Sequence, residues 1–518
     1  MGDLHADAAS GSPATERPFP PGTYPAVVVG SGPGALQVSY SLRAAGVPHA
    51  VLSADELPGG MFQRWPFFQR LLSWTKPYAP APHGSRYYER YDWNSLLAEE
   101  AGLRSLQVPL MDGSSYFPSR PEMEANLRLF ADKAALQIRH GCRWTGTRRE
   151  DGPGGQTFVL ETTDGEYRTQ VAIFAVGVAE PFTPAFPGRE LVAHYADTRD
   201  AESYAGRRLF IIGKQNSGFE LASGLVQWAP RIVLASPSPA RTSIETHSLV
   251  GVRARYVQPF EDHALGAGIS ILDASIKGVV RREDGTMAVN VAFTAGGGET
   301  AVETDEVIAA TGFVCPLLDL PQLGVATFGA SHLPAQTNWW ESATLPGIYF
   351  AGTIQQGSRG LKKHGIPSNS GAVHGHRYNG RIMAQHIAET HFGYQRPRPS
   401  IAPRDLLDFA VAELTHAPEL WHQKAYLARV ISTDPSSGLR DEGILPLAAQ
   451  VDGDGPDSIM LTVEADGTGQ IYPVIYLRQN GKVEEFALEA DPLLNFASPI
   501  DRRQAAEVLS RVVPEAAG

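Results

Sequence analysis

Apolar positions in this chain gather into short unbroken runs closed by small residues. Ala26 to Val29 is entirely apolar and ends at glycines, and a helical pattern follows from Ala35 to Ala45, so the stretch predicts strand, tight turn and helix. Val47 to Leu52 then supplies the second strand of a βαβ unit. Val171 to Val176 predicts another buried strand. From Arg208 the pattern restarts, with a strand over Leu209 to Ile212, a loop, a helix over Gly218 to Trp228 and a strand over Ile232 to Ala235. Thr304 to Phe313 predicts a strand leading back out, Leu345 to Thr353 one more buried strand, and a helix runs from near Ser370 to about His391. Beyond the Pro-rich break "GYQRPRPSIAPRD", Met460 to Val463, Ile471 to Leu477 and Val483 to Leu488 alternate as strands, with Asn480-Gly481 marking a hairpin turn.

These elements predict an α/β chain with two Rossmann-like dinucleotide-binding domains, the second inserted in the first, and a small C-terminal α+β segment. The expected divisions are a disordered tail over 1–23, a first domain over 24–198 and 306–395, a second over 199–305, and the C-terminal segment over 396–518. At 518 residues the chain has the length for two or three substantial cores.

Composition narrows the chemistry. A formal charge of -12 argues against nucleic acid or an anionic membrane surface as partner. Two cysteines, Cys142 and Cys315, exclude a disulfide framework, a CxxC redox pair and a four-thiolate metal site. The N-terminus lacks the basic start and apolar core of a secretory signal, and no apolar run reaches the roughly 20 residues of a membrane helix. The expectation is a soluble, cytoplasmic protein without a bound metal, since the histidines come with no ligand-like carboxylate or thiolate spacing.

Two loops carry the candidate chemistry. In "VVVGSGPGALQVSYSLRAAG", Gly30, Gly32 and Ala35 fit G-x-G-x-x-[GA], with Gly34 between them. Such a turn brings backbone close to a pyrophosphate, and the helix N-terminus then faces the phosphates. A ribose-binding acid is expected at the end of the second strand, but Ser53 stands there, with Asp55 just beyond, and either is a candidate for the ribose. In "LFIIGKQNSGFELASGL", Gly213 and Gly218 keep the outer glycine positions, while Gln215 takes the middle one. Lys214, Asn216, Ser217 and the helix N-terminus remain as donors. Arg241, after the strand Ile232 to Ala235, and Lys214 are the candidate cations for the 2′-phosphate that separates NADP from NAD.

With both loops in order, the chain resembles the two-dinucleotide flavoproteins that include class B flavin monooxygenases and amino-acid N-hydroxylases, over roughly Tyr24 to His391. "LPGGMF", with Gly60 and Phe62, resembles the family's flavin-side glycine pair. "SSYFPSRPEMEANLRLFA" resembles the segment entering the helix before the first "ATG"-like strand; "DEVIAATGF" with Thr311 and "GIYFAGT" with Gly352 resemble the second such strand and the last flavin-contacting one. The resemblance implies FAD on the first loop and NADPH on the second. "GKQNSGFE" is similar to the family's G-x-x-x-S-x-x-E through Gly213, Ser217 and Glu220. The monooxygenase fingerprint F-x-G-x-x-x-H-x-x-x-[YFW] is absent in clean form: "FPGRELVAHYADT" has the wrong spacing, which leaves N-hydroxylase-like relatives in play. "GGMFQRWPFFQRLLSWTKPYAP" resembles the N-hydroxylase segment in which a glutamine lies near the flavin and a lysine helps bind substrate, and Gln69 and Lys76 are the counterparts by position. The implied catalytic pair is Gln69 and Asn216.

After the last flavin strand, "GSRGLKKHGIPSNSGAVHGHRYNGR" crowds Arg359, Lys362, Lys363, His364, His374, His376, Arg377 and Arg381 into an otherwise acidic chain. Such groups clamp a carboxylate or neutralise reduced flavin, or else form a solvated loop; Lys76, Arg359, Lys362, His364 and Arg377 are the expected substrate residues. The resulting expectation is an FAD- and NADPH-dependent monooxygenase that passes oxygen, through a flavin hydroperoxide, to the nitrogen of a small carboxylate-bearing amine or amino acid. The partners are then a small molecule and O2, with a homo-oligomer left open. The rivals are a flavin-dependent NAD(P)H oxidoreductase of other specificity and a non-catalytic flavin-binding protein.

Overall fold

The computed structural model describes residues 17–517 except 65–69, 154, 247–250, 359, 361–362, 435 and 437. Its first domain rests on a parallel sheet in the order Ile348–Phe350, Val171–Phe174, Ala26–Val29, His49–Leu52. Both faces of this sheet are covered, which is why its strands are all-apolar runs and not alternating ones. On one face lie the helices Pro33–Ala44 and Val373–Phe392, which approach closely at Gly380, where an added Cβ would sit 3.2 Å from Val38 Cγ2. Against the other face lies an antiparallel sheet of Trp144–Gly152, Gly155–Thr162 and Gly165–Thr169, through Trp144, Phe158 and Phe174. Gly22–Thr23 adds to the edge of that sheet, so the expected tail ends before residue 23: Tyr24 stacks on Tyr167 and anchors the entry.

The second domain holds a seven-stranded sheet in the order Glu299–Thr304, Met287–Phe293, Ile269–Arg281, Arg231–Ser236, Arg208–Ile212, Glu306–Ala309, Ala193–His194. Ile269–Arg281 is long enough to pair parallel with Arg231–Ser236 and, further on, antiparallel with Met287–Phe293. The sheet crosses both expected borders: Glu306–Ala309 pairs with Arg208–Ile212, and Ala193–His194 extends it beyond. The helix after Gly213 is Asn216–Leu225, which starts two residues before and ends three residues before its apolar pattern predicts.

The C-terminal segment is a six-stranded antiparallel sheet in which the hairpin Leu427–Asp434 and Gly438–Pro446 enlarges the expected meander. Asn480 and Gly481 both take positive φ at the predicted turn between Ile471–Gln479 and Lys482–Ala487. Helices Leu406–His416 and Pro499–Leu509 cover one face. Leu420, Trp421, Leu427 and Val463 join the first domain's own core, so this segment is fused to it. The joint is also ionic: Arg86 reaches Glu413 at 2.6 Å and Glu419 at 2.8 Å, and Arg381 reaches Glu419 at 2.7 Å.

Candidate functional site

The two glycine loops are built alike. The Gly30 N–H donates to Leu52 O and the Ala175 N–H to Val29 O; in the second domain Gly213 N–H donates to Ala235 O and Ala310 N–H to Ile212 O. Gly30 and Gly213 have φ of 125° and 121°, and an added Cβ would lie 2.5 Å from Ala175 O and 2.3 Å from Ala310 O. Only glycine fits either place, for conformation and for space.

Beyond Gly30 the roles divide. A Cβ at Gly34 would collide with Gly352 Cα at 2.4 Å, so Gly34 lets the helix start against the last strand's loop. At Gly32 the nearest atom would be 3.9 Å away, leaving the backbone open toward a cavity. Gly32 caps the helix without a side-chain acceptor and Pro33 occupies its first turn, so the remaining first-turn N–H groups are available to an anion. Ala35 is fully buried in the core behind them. The cavity measures about 1720 Å³ and is lined by Gly30 to Gly34, Ser53, Asp55, Gly60, Phe62 and Gly352. Ordinary ligand pockets hold about 300–1000 Å³, so there is room for a dinucleotide and a second ligand. The open backbone, the uncapped helix start and this volume fit FAD.

At the ribose position, Ser53 Oγ lies 2.8 Å from Ser31 Oγ and accepts the Asp55 N–H, while the Asp55 carboxylate is paired with Arg64. In the second loop Gln215 has φ of -105°, extended backbone open to any residue, so losing the middle glycine introduces no strain. Asn216 is engaged, accepting the Arg253 N–H at 3.0 Å and donating to Gly251 O at 3.2 Å. Ser217 sits in the helix's first turn and Arg241 is exposed. Lys214, a candidate for the 2′-phosphate, is buried and paired with Asp273, which leaves Arg241 as the accessible cation of the two. Glu220 accepts from Tyr195 Oη at 2.7 Å, and burial pushes its carboxyl up to about 7 against the pull of Tyr195, Tyr256 and Arg255.

Several other expected residues stand elsewhere. Lys76 is exposed over the face of Trp74, at 5.6 Å, and does not line the cavity. Thr311 donates to Phe182 O and lies off the cavity as well. Arg377 is buried and donates to Ser95 O and Glu89 O, tying helix Val373–Phe392 to that stretch of the first domain. His364 lies outside the cavity, 3.2 Å from Tyr472 Oη. Gln69, Arg359 and Lys362 lie outside the described residues. Of the remaining basic segment, Lys363 pairs with Glu464 and Glu485 and Arg381 with Glu419, so its cations meet internal acids. Its described lysine and arginines are thus engaged within the protein, while His374 and His376 line the cavity.

The structure instead brings Trp93, Arg253, His374, Trp421, His422 and Lys424 to the cavity wall. His374 stacks on Trp93 at 3.9 Å and lies 5.0 Å from His422, ring to ring. Burial holds both imidazoles well below their usual range, hence neutral, and lowers Lys424 to about 8. Of these only His374 falls in a stretch the sequence singles out; the others come from positions more than 300 apart and belong to no motif. Both cysteines are free and buried; burial raises both thiols, Cys315 to about 12.

A family model described as pyridine nucleotide-disulphide oxidoreductase matches residues 27–352, well over half the chain. The mouse FAD-dependent oxidoreductase domain-containing protein 2 is 25% identical over 432 residues, covering 78% of this chain and 64% of that protein, so the chain spans less than two thirds of that relative's length. Among solved structures, the bacillithiol disulfide reductase of Bacillus cereus aligns with a TM-score of 0.54 at 20% identity, over 71% of this chain and 99% of its own. The Kutzneria sp. 744 ornithine N-hydroxylase aligns at 0.53 and 17% identity, over 71% and 99%. These likenesses share the fold of two dinucleotide domains just described. The chain belongs to the pyridine nucleotide-disulphide oxidoreductase family.

Proposed function

We propose that the protein is an FAD- and NADPH-dependent monooxygenase acting on a small carboxylate-bearing molecule, with hydroxylation at nitrogen as the reaction for an amine or amino-acid substrate. The observation that carries this reading over disulfide reduction is the state of its thiols. A protein dithiol needs an accessible thiolate, and here both thiols are buried and raised, Cys315 to about 12. Electrons therefore have no dithiol outlet, and the acceptor must enter the cavity.

FAD would be held by the backbone of Gly30 to Gly34, with Ser53 and Asp55 toward the ribose and Gly60, Phe62 and Gly352 toward the flavin; NADPH would use the loop from Gly213 to Ser217, with Arg241 for its extra phosphate. Bound FAD supplies two-electron redox chemistry, with NADPH as donor and dioxygen as oxidant. The overall balance is substrate, O2, NADPH and a proton going to hydroxylated substrate, NADP+ and water. The chain's own part would be to offset phosphate charge with the helix start, to supply the cavity for the reaction, and to offer neutral His374 and His422 as hydrogen-bonding groups at its wall. That the Kutzneria relative is an ornithine N-hydroxylase supports the nitrogen chemistry.

The test is spectral and chemical. Purified protein should be yellow, bleach with NADPH without oxygen, and on aeration form hydroxylated product from a member of a panel of amino acids and amines, one per NADPH consumed. A flavin indifferent to NADPH, or NADPH consumption without any oxygenated product across the panel, overturns the reading.

A further inference from the structure

The inner wall of the cavity is assembled from all three parts of the chain. Trp93 comes from the first domain, Arg253 from the second, His374 from the start of helix Val373–Phe392, and Trp421, His422 and Lys424 from the C-terminal segment. Among the described residues, neither Arg253 nor Lys424 has a carboxylate partner. Lys424 Nζ makes a single hydrogen bond, donating to Trp421 O at 2.7 Å. The cations of the neighbouring basic segment that the structure describes behave otherwise: Lys363 and Arg381 have acids, and Arg377 donates to Ser95 O, Glu89 O and Tyr378 Oη. A charge drawn out of water without a counter-charge is unfavourable, and at a cavity wall it calls for an anion.

His374 is the second, independent sign. It is 1% exposed, and neither ring nitrogen has a hydrogen-bond partner, although both are buried. A buried polar atom of this kind is normally satisfied by something, and this one lines the cavity. Its neighbour His422 is oriented by a contact of Nε2 with Glu89 O at 3.2 Å. Trp93, packed between Trp74 at 3.7 Å and His374 at 3.9 Å, and Trp421, with Arg90 over its face at 3.5 Å, add apolar surface to the same wall. Phosphate already has its cradle at Gly30 to Gly34, whereas this end offers single cations, hydrogen-bonding rings and apolar side chains.

We infer that the end of the cavity between Arg253, His374, His422 and Lys424 is a binding subsite for an organic carboxylate with an apolar body, closed by the C-terminal segment. The carboxylate meets Arg253 and Lys424, His374 supplies or accepts a hydrogen bond, and the apolar body packs beside the tryptophans. This deepens the monooxygenase reading by naming the substrate class, and its binding test does not depend on turnover.

The experiment titrates the holoprotein with 2-naphthoate and, as neutral control, 2-naphthamide, following tryptophan fluorescence and the flavin spectrum. The carboxylate should bind saturably and the amide at least tenfold more weakly. Lys424→Met and Arg253→Met should each weaken 2-naphthoate at least tenfold with flavin content and melting temperature retained, and Lys424→Arg should stay within about threefold of the parent. Equal binding of acid and amide, or none of the acid at millimolar concentration, overturns the subsite while leaving NADPH bleaching and oxygenation to be judged separately. If Lys424→Met instead lowers the flavin's midpoint potential and leaves naphthoate binding intact, the cation serves the flavin and the proposal is wrong.

Discussion

Glu220→Gln isolates the effect of one buried carboxyl on the second domain. Its ionisation midpoint in the folded chain is about 7 against an ordinary 4.5, and the dominant cause is burial. The sign follows from proton counting: between those values the folded state holds a proton that the unfolded state has lost, so stability declines as pH rises through this window and the full deficit is present above pH 7. At about 1.4 kcal/mol per tenfold shift, the deficit grows by about 2.5 kcal/mol between pH 5 and pH 8. Glutamine removes the charge and still accepts from Tyr195, while losing the acceptor for one of the two tyrosines costs about 1 kcal/mol at every pH. The assay is amide hydrogen exchange in strand Arg208–Ile212, which reports this domain alone. The ratio of protection in the variant to that in the parent should rise roughly 60-fold from pH 5 to pH 8. A ratio that stays flat, or falls, refutes the assignment of a burial-raised carboxyl to Glu220.

The paired glycines give a contrast. Gly30→Ala should lower bound flavin at least tenfold, because the new Cβ meets Ala175 O, whereas Gly213→Ala should keep the flavin and abolish anaerobic bleaching by NADPH; absorbance at the flavin band reads both. Arg86→Met leaves the buried Glu413 and Glu419 short of a counter-charge and should weaken the hold on the C-terminal segment by about 3 kcal/mol, seen as faster proteolytic cleavage near residues 393–400. Cys315→Ala should leave the rate of NADPH-dependent flavin reduction and reoxidation within twofold in stopped flow; its loss would restore a thiol route.

The sheet strands were legible because burial on both faces writes itself as an uninterrupted apolar run, as in Ala26–Val29 and Val171–Phe174. The two turns were legible because positive φ and a carbonyl at van der Waals range admit only glycine, at Gly30 and Gly213. Gln215 shows the limit of that reasoning: the spacing marks a departure from the motif, but only the backbone angle says that the departure is harmless. The basic segment was misread for a related cause. A run of cations shows charge without showing what it meets, and Arg377, Arg381 and Lys363 meet carbonyls and acids from remote stretches. Trp421, His422 and Lys424 escaped notice because their partners at the wall, Trp93 and Arg253, lie far back in the chain and leave no spacing to detect.

The matched hydrogen bonds of the two loops carry a kinetic consequence. Since Gly30 and Gly213 present nearly the same turn, the turn itself gives no basis for one nucleotide to stay and the other to leave. The difference lies in what surrounds them: the first loop forms a wall of a deep cavity, and the second lies outside it. A dinucleotide on Gly30 to Gly34 would have Phe62, Ser53 and side chains of the C-terminal segment around it, while one on Gly213 to Ser217 would have none of that cavity's walls. One turn geometry, used twice, would thus give a longer residence time in the first place than in the second.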